Sequence, residues 1–380
     1  MSQSYIENHA DLVALCNELR NSSWFAIDTE FMREKSYYPQ LCLIQVATEQ
    51  VVACIDPQAI DDLGPLLDLL YDPAITKVFH AARQDLEIFH VMRGTPPAPV
   101  FDTQLGATLL GHGDQIGYGA LVKETLGVEL EKAHSRADWS LRPLTEEQLH
   151  YAADDVRYLV KVYLHQRAEL EENGRLAWLQ EDFATLCDPR TYENPPQDAW
   201  QRIKGVQLLK GAQLAVLQSI AAWREELAQQ SNRPRRWILK DEIVFDIARH
   251  MPDSRDKLAR IRGLEKGVLD RYGKLWLELV AAARALPKEQ WPHLHIPVRL
   301  TPEQDALVDA MMALLRLRSL QHKVSPATLG SRRELERLLQ GDADCPLLHG
   351  WRAQLVGHDL QGLLRGETAL RVVDGKLGVE

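Results

Sequence analysis

The stretch FAIDTEF, residues 25–31, sets two carboxylates into an otherwise apolar run that reads as a buried strand. Side chains alternate along a strand, so Asp28 and Glu30 share one face, about 7 Å apart along it. Phe25, Ile27 and Phe31 take the other face. Two like charges held side by side raise each other's proton affinity unless something positive sits between them. The fold must therefore leave these acids solvated at a strand end or bring a counter-charge to them. The stretch alone fits two solvated acids, and the decision rests on the other acids.

Two further segments have sharp local context. In VFHAARQDLEIF (78–89) a strand end runs into a helix, and Asp85 in its early turns interrupts the apolar set of Leu86, Ile88 and Phe89. In LTEEQLHYAADDVRYL (144–159), Thr145 reads as an N-cap with Glu146 and Glu147 in the first turn. Tyr151 and Asp155 are then four apart, about 40° round the helix, and share a face. Asp154 lies about 60° to the other side of Tyr151, so spacing alone leaves it in play. Leu149, Ala152, Val156 and Leu159 supply the core stripe.

Around these segments, WFAID (24–28), LCLIQVA (41–47) and VVACID (51–56) read as three successive strands, antiparallel because the connections are short. ITKVFH (75–80) reads as a fourth. Helical patterns fall near 62–70, 82–93, 103–110, 118–126 and 145–172, which predicts a mixed sheet flanked by helices. Two Pro-rich seams, DPRTYENPPQDAW (188–200) and LPKEQWPHLHIPVRLTP (286–302), read as linkers to two helical segments. A shift of 90 residues lays Leu239-Lys240-Asp241 on Leu329-Gly330-Ser331, a suggestive internal repeat.

Charge is divided along the chain. Residues 1–195 carry a net of −16, residues 196–290 a net of +6, and residues 291–380 balance. An acidic front and a basic middle imply a division of labour, although the formal charge of −10 alone would argue against a nucleic-acid partner. No apolar run approaches a membrane span, and the first residues lack a secretory pattern. Five scattered cysteines without a C-x-x-C pair read as reduced thiols, so a cytoplasmic location is expected. The HLH at 293–295 has no partners at zinc spacing and reads as a surface loop.

In order, the chain offers D-x-E on a strand, D on a helix, and Y-x-x-x-D on a later helix. This pattern resembles the DEDDy family of 3′→5′ exonucleases, on the ribonuclease H-like fold. Closer still, DTEFMREKSYYPQLCLIQVA, FHAARQDLEIF and SRADWSLRPLTEEQLHYAADDVRYL are similar to ribonuclease D over roughly residues 20–185. RRWILKDEIVFDIARHMP and RIRGLEKGVLDRYG resemble an HRDC domain, and VSPATLGSRRELERLLQGD a second, weaker copy. The expected organisation is an α/β exonuclease domain over 1–190 and two all-α HRDC-type domains, a basic one over 200–288 and a divergent one over 298–375.

The resemblance implies two divalent ions, Mg²⁺ or Mn²⁺, held by Asp28, Glu30, Asp85 and Asp155 and clamping an in-line displacement at phosphorus. Independently, four carboxylates could not stay ionised together without positive charge among them. Tyr151, with a reference pKa near 10, is a poor base and is expected to orient the attacking water. A sister group uses a histidine in place of the tyrosine, and His150 stands at its spacing. Five residues is about 140° round the helix, however, so His150 faces away from Asp155. His80, Arg136, Trp139 and Arg142 are candidates to grip terminal nucleotides. Arg233, Arg235, Arg236 and Lys240, beside Trp237, are candidates for a longer-range phosphate grip. The implied function is release of nucleoside 5′-monophosphates from RNA 3′ ends, in tRNA precursor trimming, with no membrane and no obligatory protein partner. A DNA 3′→5′ exonuclease or a non-catalytic nucleic-acid scaffold are the alternatives.

Overall fold

The computed structural model describes residues 3–131, 134, 137–294 and 299–380. Arg136, and His295 of the HLH stretch, lie outside the described residues. The chain divides into two compact units. One comprises Met1–Phe31, Leu41–Thr191 and Arg299–Glu380, the other Met32–Gln40 and Tyr192–Val298.

The first unit is built on strands β1 (Ser4–Ile6), β2 (Trp24–Met32), β3 (Gln40–Ala47), β4 (Val52–Ile55), β5 (Thr76–Phe79) and β6 (Val100–Asp102). They form one sheet in the order β1-β4-β3-β2-β5-β6. β3 and β4 are antiparallel, whereas β1 runs parallel to β4, and β5 runs parallel to both β2 and β6. β2 is interior to this mixed sheet and extends to Met32, so Asp28 and Glu30 lie inside the strand and not at its end. Phe25 and Ile27 are fully buried, and each such side chain contributes about 1.5–3 kcal/mol by leaving water.

Helices α1 (His9–Leu19), α2 (Gly64–Leu70), α3 (Arg83–Arg93), α4 (Thr103–Thr108), α5 (Tyr118–Leu126), α6 (Glu146–Glu172) and α7 (Gln180–Leu186) accompany the sheet. The start of α6 is fixed by a reciprocal cap. The Thr145 hydroxyl accepts from the Gln148 N–H at 3.2 Å, and the Gln148 side chain accepts from the Thr145 N–H at 2.9 Å. From that start the buried stripe of Ala152, Val156 and Leu159 packs the helix against β4 and β5. The capping box thereby sets which side chains of α6 face the sheet.

The second unit holds α8 (Ala212–Gln230), α9 (Arg235–Ile238), α10 (Asp241–His250), α11 (Arg255–Ala259) and α12 (Lys266–Ala285). Their core gathers Leu217, Ile220, Val244, Ile247, Trp276 and Val280. The connection between β2 and β3 belongs to this unit. The Asn232 side-chain oxygen accepts from the N–H groups of Tyr37 (3.1 Å) and Tyr38 (3.0 Å). The Tyr37 hydroxyl donates to Glu225, a fully buried carboxylate that Arg235 grips with two nitrogens. Burial pushes the Glu225 carboxyl up, but the bonds from Arg235 and Tyr37 outweigh it and hold the group below its ordinary pKa.

The last segment, part of the first unit, holds α13 (Pro302–His322), α14 (Pro326–Leu329), α15 (Arg332–Leu339), α16 (Gly350–Arg352) and α17 (His358–Arg365). It is not all-helical. A hairpin of β7 (Leu370–Val373) and β8 (Lys376–Val379) closes the chain and runs past the expected limit of 375. Asp374 and Gly375 both take positive φ, +49° and +72°, which suits a two-residue turn matched to the twist of the strands. Arg175 bridges the carbonyls of Leu109 and His322 at 2.7 Å each, and Trp178 stacks on Trp351 at 5.0 Å. These bonds join the last segment to the body of the first unit. Among the described residues, no helix is long and apolar enough to cross a membrane.

Candidate active site

β2 carries Asp28 and Glu30, and one face of α6 carries Tyr151 and Asp155. The structure brings an oxygen of Asp28, Glu30 and Asp155 all within 4.8 Å of one another. Burial is the main force on each acid. It pushes Asp28 up to about 6. Glu30 rises to about 9 through burial and the charges of Asp28, Asp155 and Asp85. Asp155 rises to about 8 through burial and the charges of Asp28 and Asp154. Among the described residues, no lysine or arginine contributes to these three balances. The cluster thus lacks the counter-charge that its ionised form demands.

Asp85, buried in the first turn of α3, is not part of the 4.8 Å set. Burial and the charge of Asp28 hold its carboxyl well above the usual range, and it accepts from the Thr29 hydroxyl at 2.5 Å. The turn before it is held by a residue that sequence reasoning missed. Asp102 accepts from the N–H groups of Ala81 and Ala82, at 2.9 Å each, and from Gln104 at 2.8 Å as the cap of α4. Ala81 sits at φ +57°, a left-handed conformation that costs a non-glycine residue about 1–2 kcal/mol. Asp102 therefore positions both His80 and Asp85. The only sequence signal for it is an Asp directly after a short apolar run.

Tyr151 is half-buried, and burial, with Asp155, Glu30 and Asp28 beside it, raises its pKa further from neutrality. Its phenol stays protonated at any ordinary pH. His150 instead points outward, with Nε2 3.7 Å from Asp154, and Asp154 also takes Arg157. His150 and Asp154 thus stay outside the 4.8 Å acid set, although the charge of Asp154 is felt by Asp155, and the capping box at Thr145 sets that register. Asp28, Glu30, Tyr151 and Asp155 line a cavity of about 270 Å³ together with His80 and Tyr118. Tyr118, also unread from sequence, bonds the Asp154 carbonyl at 3.2 Å.

The candidate nucleotide grips fare differently. Both His80 ring nitrogens are engaged, with the Thr103 hydroxyl at 3.0 Å and the Ile116 carbonyl at 3.1 Å, so His80 offers the cavity only its ring. Trp139 is 2% exposed and packs 6.2 Å from the Tyr151 ring. It buttresses the tyrosine and has no face for a base, contrary to expectation. Arg142 is likewise corrected. Its five N–H donors are spent on Asp56 (2.5 and 2.7 Å) and the carbonyls of Trp139, Leu141 and Cys42. Asp56 is itself buried, so this guanidinium is structural and holds the segment that buttresses Tyr151. In the second unit, Arg235 serves Glu225 and Tyr37 first and is no free phosphate clamp. Arg233, Arg236 and Lys240 are exposed, as is Trp237.

A family model described as 3′-5′ exonuclease matches residues 3–171, and an HRDC domain model matches residues 213–280. A ribonuclease D of Granulibacter bethesdensis is 43% identical over 382 aligned residues, covering 99% of this chain and 95% of that protein. A ribonuclease D of Pseudomonas paraeruginosa is 39% identical, covering 95% of this chain and 97% of that protein. Among solved structures, Escherichia coli RNase D, an exoribonuclease involved in structured RNA processing, superposes with a TM-score of 0.85 at 35% identity. The match covers 96% of this chain and 99% of that one. The catalytic core of RRP6 from Trypanosoma brucei gives 0.58 at 25% identity, covering 75% of this chain and 81% of that one.

Proposed function

The chain belongs to the ribonuclease D family and is a 3′–5′ exoribonuclease, and from that premise we propose how its residues divide the work. Asp28, Glu30 and Asp155, with Asp85 as a fourth ligand, hold two divalent cations, Mg²⁺ or Mn²⁺. The observation that carries this is the set of three buried carboxylates within 4.8 Å of one another, with no described cationic side chain in their balance. Carboxylate oxygens are the donors that hard divalent ions prefer, so the residues fit the group. Such ions, when bound, neutralise charge on the phosphoryl oxygens and make water a better nucleophile.

The chain's own residues supply orientation. Tyr151, a neutral phenol on the same face of α6 as Asp155, holds the attacking water by a hydrogen bond and takes no part as a base. His80, its nitrogens committed, presents a ring to the terminal nucleotide. Trp139 and Arg142 act one layer back, through the packing around Tyr151. Arg233, Arg236 and Lys240 supply a phosphate grip from the second unit.

The last segment is proposed as a divergent second HRDC-type module, which completes the reading of 1–190, 200–288 and 298–375 as three modules. Helices α13, α14 and α15 repeat the long, one-turn and amphipathic order of α8, α9 and α10, starting 90 or 91 residues later. The five cysteines are free thiols, which supports a cytoplasmic location. Substrates are 3′-extended structured RNAs, tRNA precursors among them. The test is digestion of such an RNA, and of its DNA counterpart, with Mg²⁺, with Mn²⁺ and with chelator, resolving products nucleotide by nucleotide. One-by-one release of nucleoside 5′-monophosphates from RNA, stopped by chelator, is expected. Undiminished digestion in chelator would remove the metal assignment.

A further inference from the structure

The second unit contains a cavity of about 540 Å³, within the roughly 300–1,000 Å³ of ordinary ligand pockets. Its walls come from the β2–β3 connection (Arg33, Tyr37), from Arg202, from α8 and from the turn Pro234–Trp237. Apart from Arg33, which is engaged in an interaction of its own, four guanidinium groups line it, those of Arg202, Arg224, Arg235 and Arg236, against two carboxylates. The carboxylates are already engaged. Glu225 is held by Arg235 and Tyr37, and Asp241 accepts from Arg224 at 2.6 Å. Among the described residues, Arg202 hydrogen-bonds a neutral amide oxygen, that of Asn194 at 2.6 Å, and its charge is felt by Glu225 without a bond between them. Arg236 reaches Glu242 at 3.5 Å in an exposed pair, a contact of little energetic weight.

Arg224 makes the surplus positive charge telling. It is 2% exposed, and its Nε donor is buried with no partner among the described residues. A buried donor left unpaired is costly and therefore rare. A ligand of negative charge in this cavity would answer the excess of guanidinium over carboxylate. Trp237, on the same wall, is 54% exposed and offers an indole face. Guanidinium donors beside an exposed indole form the pairing that takes a phosphate and a stacked base together.

We propose that this cavity binds one internal nucleotide of single-stranded RNA, its phosphodiester on Arg202, Arg224 and Arg236 and its base on Trp237. The inference rests on the exoribonuclease reading and adds a discrete nucleotide subsite to a diffuse basic surface. A free nucleoside 5′-monophosphate carries the same chemistry, and the test separates the two.

The full chain is titrated, in chelator so that nothing is hydrolysed, into end-labelled oligouridylates of increasing length, and affinity is read by fluorescence anisotropy. Affinity is expected to jump, by roughly tenfold, at the length that first reaches the cavity. Trp237→Ala and Arg202→Ala should each remove the jump while leaving the shorter oligomers bound as before. Both side chains are exposed, so the variants should fold, and circular dichroism checks this. A jump that survives both substitutions overturns the proposal. So does a jump abolished by millimolar uridine 5′-monophosphate, which would make this a product site. Digestion of the same oligomers with Mg²⁺ is run in parallel, so a failure of the exonuclease reading would show there, apart from the binding jump.

Discussion

At the scale of single residues, the acid cluster is a store of unfavourable charge, and three measurements follow from it. Asp28→Asn or Asp155→Asn should abolish hydrolysis while the metal-free protein keeps or gains stability, because each removes one of several crowded carboxylates. Turnover within about tenfold of wild type would contradict their assignment as ligands. Tyr151→Phe keeps the ring and removes the hydroxyl. It should cut kcat by about 10²-fold, a normal effect for a group that positions a proton. His150→Ala should cost far less, since that side chain faces Asp154 and solvent. The third measurement is of pH. Folded-state pKa values near 6, 8 and 9 for Asp28, Asp155 and Glu30 lie above the unfolded values, so the native chain holds protons the unfolded chain has released. Stability from these groups is full below the ordinary carboxylate range and is lost as pH rises through 6 to 9. The metal-free Tm should therefore fall across that window, and Mg²⁺ should raise it most at the alkaline end. A flat profile would show that the cluster is not desolvated as described. Much of this site was legible, because strand alternation and helical spacing fix which acids share a face. The partners of Trp139, Arg142 and Arg235 were not. Asp56 and Glu225 lie 86 and 10 residues from the arginines they bind, and no local pattern announces such pairs.

At the scale of elements, periodicity read α2 to α6 to within two residues but passed over α1, and the Thr145 cap was visible as a motif. Strands β1 and β6, of three residues each, are too short to carry a period, and sheet pairing alone defines them. The closing hairpin had a signal, Asp-Gly directly after Val372 and Val373, within a segment that otherwise reads as helical. The turn between β5 and α3 is the element on which the fourth acid depends. Asp102 accepts its two N–H groups with one oxygen each. Asp102→Asn would turn an amide N–H toward one of these donors and leave it unsatisfied, at a cost of about 1–3 kcal/mol. Stability should fall by that amount, and kcat should fall with little change in KM because Asp85 is displaced while the RNA grip is intact. A stability loss without any loss of kcat would show that Asp85 does not need this turn.

At the scale of the whole chain, charge and contact divide the molecule differently from sequence order. The two Pro-rich seams suggested three consecutive modules. The last segment, however, shares a compact unit with the acid cluster, and the β2–β3 connection shares one with the basic helices. Deleting residues 196–380 would therefore strip Arg175, Trp178 and Tyr37 of their partners as well as removing positive charge. Such a deletion cannot isolate the contribution of the basic surface. Point neutralisation can. Arg233, Arg236 and Lys240 are exposed, and Arg236 alone of the three has an ion pair among the described residues, a weak one. In the proposed division of labour, the catalytic half, with its net of −16, repels the RNA backbone and leaves the phosphate contacts to the segment with a net of +6. Each phosphate neutralised on a single strand adds about 0.7 to the slope of log affinity against log salt. Changing all three residues to Gln should flatten that slope by about 2 for an RNA long enough to reach them. The loss should be nearly uniform across sequences, because phosphates carry no base identity. It should also leave Tm within a degree or two, since surface substitutions away from buried partners rarely exceed about 0.5 kcal/mol. Affinities over a salt series for wild type and the triple variant settle the matter. An unchanged slope would place the grip elsewhere, and the division of charge along the chain would then have no part in holding RNA.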